Sequence, residues 1–178
     1  MKLYEDIEIT SWFIIRFVEN PGMAFGMEII GKLFLSIFRI IAVTAIGYYL
    51  CKVIRKGINT GFVVCLSLIL AGAIGNIIDS AFYGIIFNES TPYSVATLFP
   101  ADGGYTTFLH GKVVDMFYFP LIQIKQMPDW FPIWGGGEFV FFSPIFNLAD
   151  SAITVGVTLM LLFERKHLVD SKPAETNA

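Results

Sequence analysis

The chain has 178 residues, 55% of them hydrophobic and only 15% charged, with a mean hydropathy of +0.66. Ordinary soluble domains run nearer to about 45–50% apolar and about 25% charged, so this composition excludes that class and points to a membrane protein. A net charge of −3 argues against a nucleic-acid partner, which needs a basic face, and the length favours one compact domain over residues 1–178.

Residues 1–20 open with Lys2 and then Glu5, Asp6 and Glu8, and they lack the basic start and apolar core of a secretory leader. Within them, 7–20 is rich in β-branched and aromatic residues and reads as an outer strand-like region extending to about residue 32. Ile14, Arg16 and Val18 fall on one strand face and Ile15 and Phe17 on the other. Asn20-Pro21-Gly22 reads as a turn, because Pro fixes φ and Gly tolerates positive φ. The apolar run 23–27 is hemmed by glycines and suits a re-entrant or interfacial segment.

Three spans follow. The first covers about 33–51, with Arg39 inside it snorkelling or paired with a neighbouring helix. The second covers about 58–78, where Ser67, Ala71, Gly75 and Asp79 recur every fourth residue and make a small-residue stripe for close helix approach. The third runs over 145–163. Between the last two lies a long outer segment, 80–142, broken by Pro and Gly and studded with interfacial aromatics such as Tyr93, Tyr105 and Trp130. Cys51 and Cys65 match no metal or redox spacing and read as free thiols packed like small hydrophobes.

Lys52, Arg55, Lys56, Arg165, Lys166 and Lys172 crowd the short connection and the tail at 164–178, whereas the long segment holds only Lys112 and Lys125. The positive-inside rule makes the basic stretches cytoplasmic and the long segment external. Asn20, Asn76, Asp79, Asp115, Asn147 and Asp150 then gather at the outer membrane surface. Ionisable groups there are costly and count as functional candidates. Asp115 and Asp150 are the candidates for chemistry, because two poorly solvated carboxyls can share a proton and divide general-base and general-acid duties. The plainer readings are that Asp150 caps the first turn of its helix and that Asp115 pairs with Lys112 on a loop. No His pair, outer cysteine, metal-ligand spacing or phosphate loop offers another chemistry.

Four motifs in order, Asn20–Gly26, Ala71–Asp79, Gly111–Asp115 and Phe146–Asp150, resemble those of the bacterial lipoprotein signal peptidases, the signal peptidase II family. The resemblance covers about residues 7–163. It implies an all-α polytopic membrane protein, a small helix bundle with an extracytoplasmic β-rich cradle, set in the bacterial cytoplasmic membrane with its active site outside. It implies an aspartic endopeptidase that removes the signal peptide of diacylglyceryl-modified prolipoproteins just before the lipidated cysteine, working as a monomer among membrane lipid and without a metal or other cofactor. Asp115 and Asp150 match the catalytic pair, while Asn20, Gly22, Gly75, Asn76, Asp79 and Asn147 match residues that bind substrate or shape the site. Three departures stand out: the family's first spanning helix is absent from this sequence, Ser80 stands where the family usually has Arg, and the outer segment 85–109 is long. The rival readings are a proton-coupled transport subunit, in which buried carboxyls relay protons, and an inert lipoprotein-binding homologue that keeps the groove without turnover.

Overall fold

The computed structural model describes residues 1–21, 32–132 and 135–169; Gly22 and the expected interfacial segment 23–27 lie outside the described residues. The chain divides into two compact units, Met1–Leu33 with Asp79–Asn147, and Phe34–Ile78 with Leu148–Ala178.

The first unit is built on a four-stranded antiparallel sheet. Its strands are β1 (Asp6–Thr10), β2 (Phe13–Asn20), β3 (Val113–Tyr118) and β6 (Ile145–Phe146), in the order β1-β2-β3-β6, and β4 (Ile122–Ile124) pairs separately with β5 (Phe139–Phe141). The all-α label is therefore too narrow: a β-sheet region accompanies the helices. The stretch 7–20 is a hairpin rather than one strand, turning at Ser11-Trp12, with Asp6 of β1 facing Arg16 of β2. Arg16 grips Asp6 bidentately, Nε to Oδ1 at 2.6 Å and Nη2 to Oδ2 at 2.5 Å.

A bulge changes the faces of β2. Ile15 pairs with Phe117, but Val18 pairs with Asp115, so Arg16 and Phe17 together oppose Met116 alone. Strict alternation would set Val18 and Arg16 on one face. Instead, beyond the bulge, Val18 and Asn20 share the face of Asp115, and Phe17 and Glu19 take the opposite one. On the Asp115 face, Phe13, Phe117, Phe119 and Phe146 form a ring cluster with centroid separations of 4.8–6.2 Å.

The second unit is helical. Helix α1 (Lys32–Arg55) ends where Gly57 takes φ +64°, with Gly57 N–H donating to Ile54 O and Ile58 N–H to Val53 O. That is the double closure of a Schellman motif, helped by Lys52 and Arg55 in the last turn. Helix α2 (Thr60–Ile86) begins with Asn59, whose Oδ1 accepts from Gly61 N–H at 2.6 Å. Val53, Phe62, Cys65, Leu66 and Met160 make the buried core; Cys65 thus packs as expected, whereas Cys51 is exposed.

Among the described residues, α1 and α2 are long and apolar enough to cross a bilayer. The last apolar run is not. Helix α3 (Leu148–Phe163) has 16 residues, because Ile145 and Phe146 are drawn into β6. At 1.5 Å per residue it rises about 24 Å, less than the roughly 30 Å hydrocarbon core. Helix α4 (Arg165–Val169) closes the described chain.

Small residues do let α2 and α3 approach, but on another stripe than the sequence suggested. Ser67 and Ala71 are exposed. The contact runs through Gly72, where a Cβ would drive into the Ala149 carbonyl, and through Gly156, where one would lie 2.8 Å from Ile69 Cγ1 and 2.9 Å from Cys65 O. Gly75 is closer to expectation, with its missing Cβ 3.2 Å from that of Ala149.

Segment 85–109 closes the end of α2. Phe99 N–H donates to Ile86 O and Thr106 N–H to Gly84 O, and just beyond the helix Tyr105 N–H donates to Phe87 O, at 2.7–3.0 Å. The last carbonyls of a helix have no partner within it, so the returning loop supplies one.

Candidate active site

The sheet brings three of the sequence-selected residues together. Asp115, in β3, is 3% exposed. Its Oδ2 accepts from Asn20 Nδ2 at 3.0 Å and its Oδ1 from Asn147 Nδ2 at 2.8 Å. Each carboxylate oxygen thus has its own amide donor, one from the end of β2 past the bulge and one from the residue ahead of α3. Burial disfavours the charged form of a carboxyl, and donation to both oxygens favours it.

Asp115 does not pair with Lys112. The Lys112 ammonium binds Glu19 at 2.8 Å and Glu89 at 3.2 Å, and it lies 5.3 Å from the Tyr105 ring centre. Burial alone would lower the Lys112 amine, but the hydrogen bond and charge of Glu19, then those of Glu89, outweigh it and raise it. This network escaped the sequence reading. Alternation along β2 could have signalled it only had the bulge been known.

In the helical unit, Asp150 is the third residue of α3, and its Oδ1 accepts from Asn76 Nδ2 at 2.8 Å. A carboxylate in the first turn also suits the helix dipole, so the capping reading and the chemical one coexist. Asn76 is 8% exposed and Asn147 6%. Asp79, one helical turn after Asn76, accepts from Val114 N–H at 3.5 Å and so touches the backbone beside Asp115. Gly75 supplies the close approach to Ala149, and Gly22 lies outside the described residues. Among the described residues no cluster of His, Cys, Asp and Glu is suited to a metal ion.

Comparison with known proteins bears on this pattern directly. The family described as Signal peptidase (SPase) II matches residues 1–165. A lipoprotein signal peptidase of Porphyromonas gingivalis is 57% identical over 163 residues, covering 91% of this chain and 71% of that protein. The chain belongs to the signal peptidase II family. A lipoprotein signal peptidase of Amoebophilus asiaticus is 39% identical over 159 residues, 87% of this chain and 62% of that one. Two solved structures, each of a bacterial membrane enzyme, superpose with TM-scores of 0.58 and 0.55 at 26% and 27% identity. The first covers 98% of this chain and 79% of its own, the second 90% and 75%.

Membership makes the chain an enzyme of the aspartic-protease type and a membrane-associated bacterial protein. It also sharpens the departure at Ser80. That residue is 3% exposed, and its carbonyl accepts from Gly111 N–H at 2.8 Å. An arginine there would need its own buried partner, which Asp79 on the neighbouring position could supply.

Proposed function

We propose that this chain cleaves lipoprotein precursors as an intramembrane aspartic endopeptidase, removing the signal peptide of diacylglyceryl-modified prolipoproteins just before the lipidated cysteine. Asp115 and Asp150 are the proposed pair. The observation that carries the reading is the clasp on Asp115, a buried carboxylate with an asparagine amide on each oxygen. Amide donation to both oxygens favours the ionised form of such a group, the state a general base requires.

In this reading Asp115 takes a proton from water, and the resulting hydroxide attacks the scissile carbonyl. Asp150 protonates the carbonyl oxygen, and a proton then passes to the leaving amine as the C–N bond breaks. Asn20 and Asn147 hold the base, Asn76 orients the acid, and Asp79 fixes the backbone beside the base. Gly22 and Gly75 shape the site, and no cofactor takes part. The chain would lie as a multi-pass monomer with this chemistry at the outer face of the cytoplasmic membrane, an orientation supported by the Lys and Arg asymmetry.

The test is cleavage of a diacylglyceryl-modified prolipoprotein by the purified chain, beside Asp115→Asn and Asp150→Asn. Cleavage by the parent with a loss of about 10²-fold or more in each variant is the expected result. Equal turnover in either variant would remove that carboxyl from the mechanism.

A further inference from the structure

The opposite face of the sheet carries a pocket of its own. Behind Asp115, on the side to which the bulge turns Phe17 and Glu19, lies a pocket of about 260 Å³ whose walls include Phe17, Glu19, Phe87, Ser90, Tyr105 and Lys112. All of these belong to the first unit. Two of the polar groups are incompletely used. Ser90 is 4% exposed, and its hydroxyl makes no hydrogen bond among the described residues. The Glu19 side chain is 8% exposed; Lys112 occupies its Oε2, and Oε1 has no donor among the described residues. Neither Glu19 Oε1 nor Ser90 Oγ is sealed from solvent, so both open into the pocket and can accept a hydrogen bond from an occupant.

We propose that the pocket binds a primary ammonium group carried on a short apolar stem. Glu19 Oε1 and Ser90 Oγ accept its N–H groups, and the apolar walls cover the stem. The π faces are the second reason for a cation. Tyr105 already carries the Lys112 ammonium over its ring at 5.3 Å, and the aromatic side chains of Phe17 and Phe87 also line the pocket. Lys112 is committed to Glu19 and Glu89, and Lys32, whose charge also acts on Glu19, makes no ion pair among the described residues. The recognition therefore rests on the open carboxylate oxygen and the rings rather than on net charge. Tyr83, in the last turn of α2, lines the same pocket. An apolar helix of this kind ends at the membrane surface, where such an ammonium has two sources: a phospholipid with an ethanolamine headgroup, or a free alkylamine.

The experiment uses the full chain in lipid nanodiscs, with n-hexylammonium and the neutral, one-carbon-longer n-heptanol as soluble probes followed by saturation-transfer NMR. Native mass spectrometry of discs made with ethanolamine-headed or glycerol-headed phospholipid reads the lipid arm. Hexylammonium is expected to bind about tenfold more tightly than heptanol, and to weaken about tenfold in Ser90→Ala and more in Glu19→Gln. Prolipoprotein cleavage by Ser90→Ala should be unchanged, which separates this site from the peptidase site. Retention of ethanolamine-headed lipid, displaced by hexylammonium, would identify the lipid as the source; amine binding without lipid retention would identify the free amine. Equal binding of heptanol, binding indifferent to both substitutions, or no binding of hexylammonium overturns the proposal.

Discussion

Replacing Asn147 by Leu tests the clasp on Asp115 with little change in volume. The substitution removes the 2.8 Å amide hydrogen bond to Oδ1 and leaves the 3.0 Å bond from Asn20 to Oδ2 in place. A hydrogen bond to a charged group contributes about 1.5–3 kcal/mol, and the site is 97% shielded from solvent, so water does not restore the donor cheaply. At about 1.4 kcal/mol per decade, the expected fall in kcat/KM at neutral pH is roughly 10- to 150-fold. The sign with pH follows from the same loss. Without its donor the carboxylate is less stable relative to the acid, so the proton leaves at higher pH and the acid limb of the kcat/KM profile moves upward. Part of the lost activity should therefore return on raising the pH. The assay is prolipoprotein cleavage at several pH values, with circular dichroism to show that Asn147→Leu is folded. A folded variant with unchanged kcat/KM and an unmoved acid limb would refute the idea that this amide holds Asp115 ionised.

Three further outcomes follow from the packing and the charges. Lys112→Met should cost about 1–3 kcal/mol in denaturant unfolding, because it strands the buried Glu19 carboxylate. The raised Lys112 amine contributes stability that is fully present below its ordinary value and lost only as pH climbs through the higher folded value, so this cost should be constant between about pH 6 and pH 9; a cost that vanished within that window would contradict the pairing. Gly72→Val should lower the melting temperature of the protein in detergent, at about 1–3 kcal/mol, since its side chain meets the Ala149 carbonyl, whereas Ala71→Val on the exposed stripe should be nearly neutral. Gly57→Ala forces a Cβ into the left-handed region at φ +64° and should destabilise by about 1 kcal/mol although nothing lies within 4 Å of the new atom, so an unchanged midpoint would argue against the Schellman closure.

Local chemistry along the chain determined much of this protein. Runs of apolar residues fix α1 and α2, because length and hydropathy alone decide what can cross a bilayer. Gly57 and Asn59 mark where one helix stops and the next starts, since caps act within one turn. The four motifs placed Asn20, Asn76, Asp115, Asn147 and Asp150 among the candidates, and the hydrogen bonds of the fold then joined Asn20 and Asn147 to Asp115 and Asn76 to Asp150.

Tertiary structure decided what periodicity could not. Which face Asn20 takes depends on a bulge at Arg16-Phe17, and a bulge is a property of the pairing between β2 and β3, whose partners lie about a hundred residues apart. The same distant register gave Lys112 to Glu19 and Glu89 instead of to its sequence neighbour Asp115. It shortened the last helix too, because Ile145 and Phe146 satisfy their backbone groups against β3 before α3 can claim them. Helix contact chose Gly72 and Gly156 over Ser67 and Ala71 for a like reason: a four-residue spacing defines a stripe, but only the partner helix determines which stripe is covered.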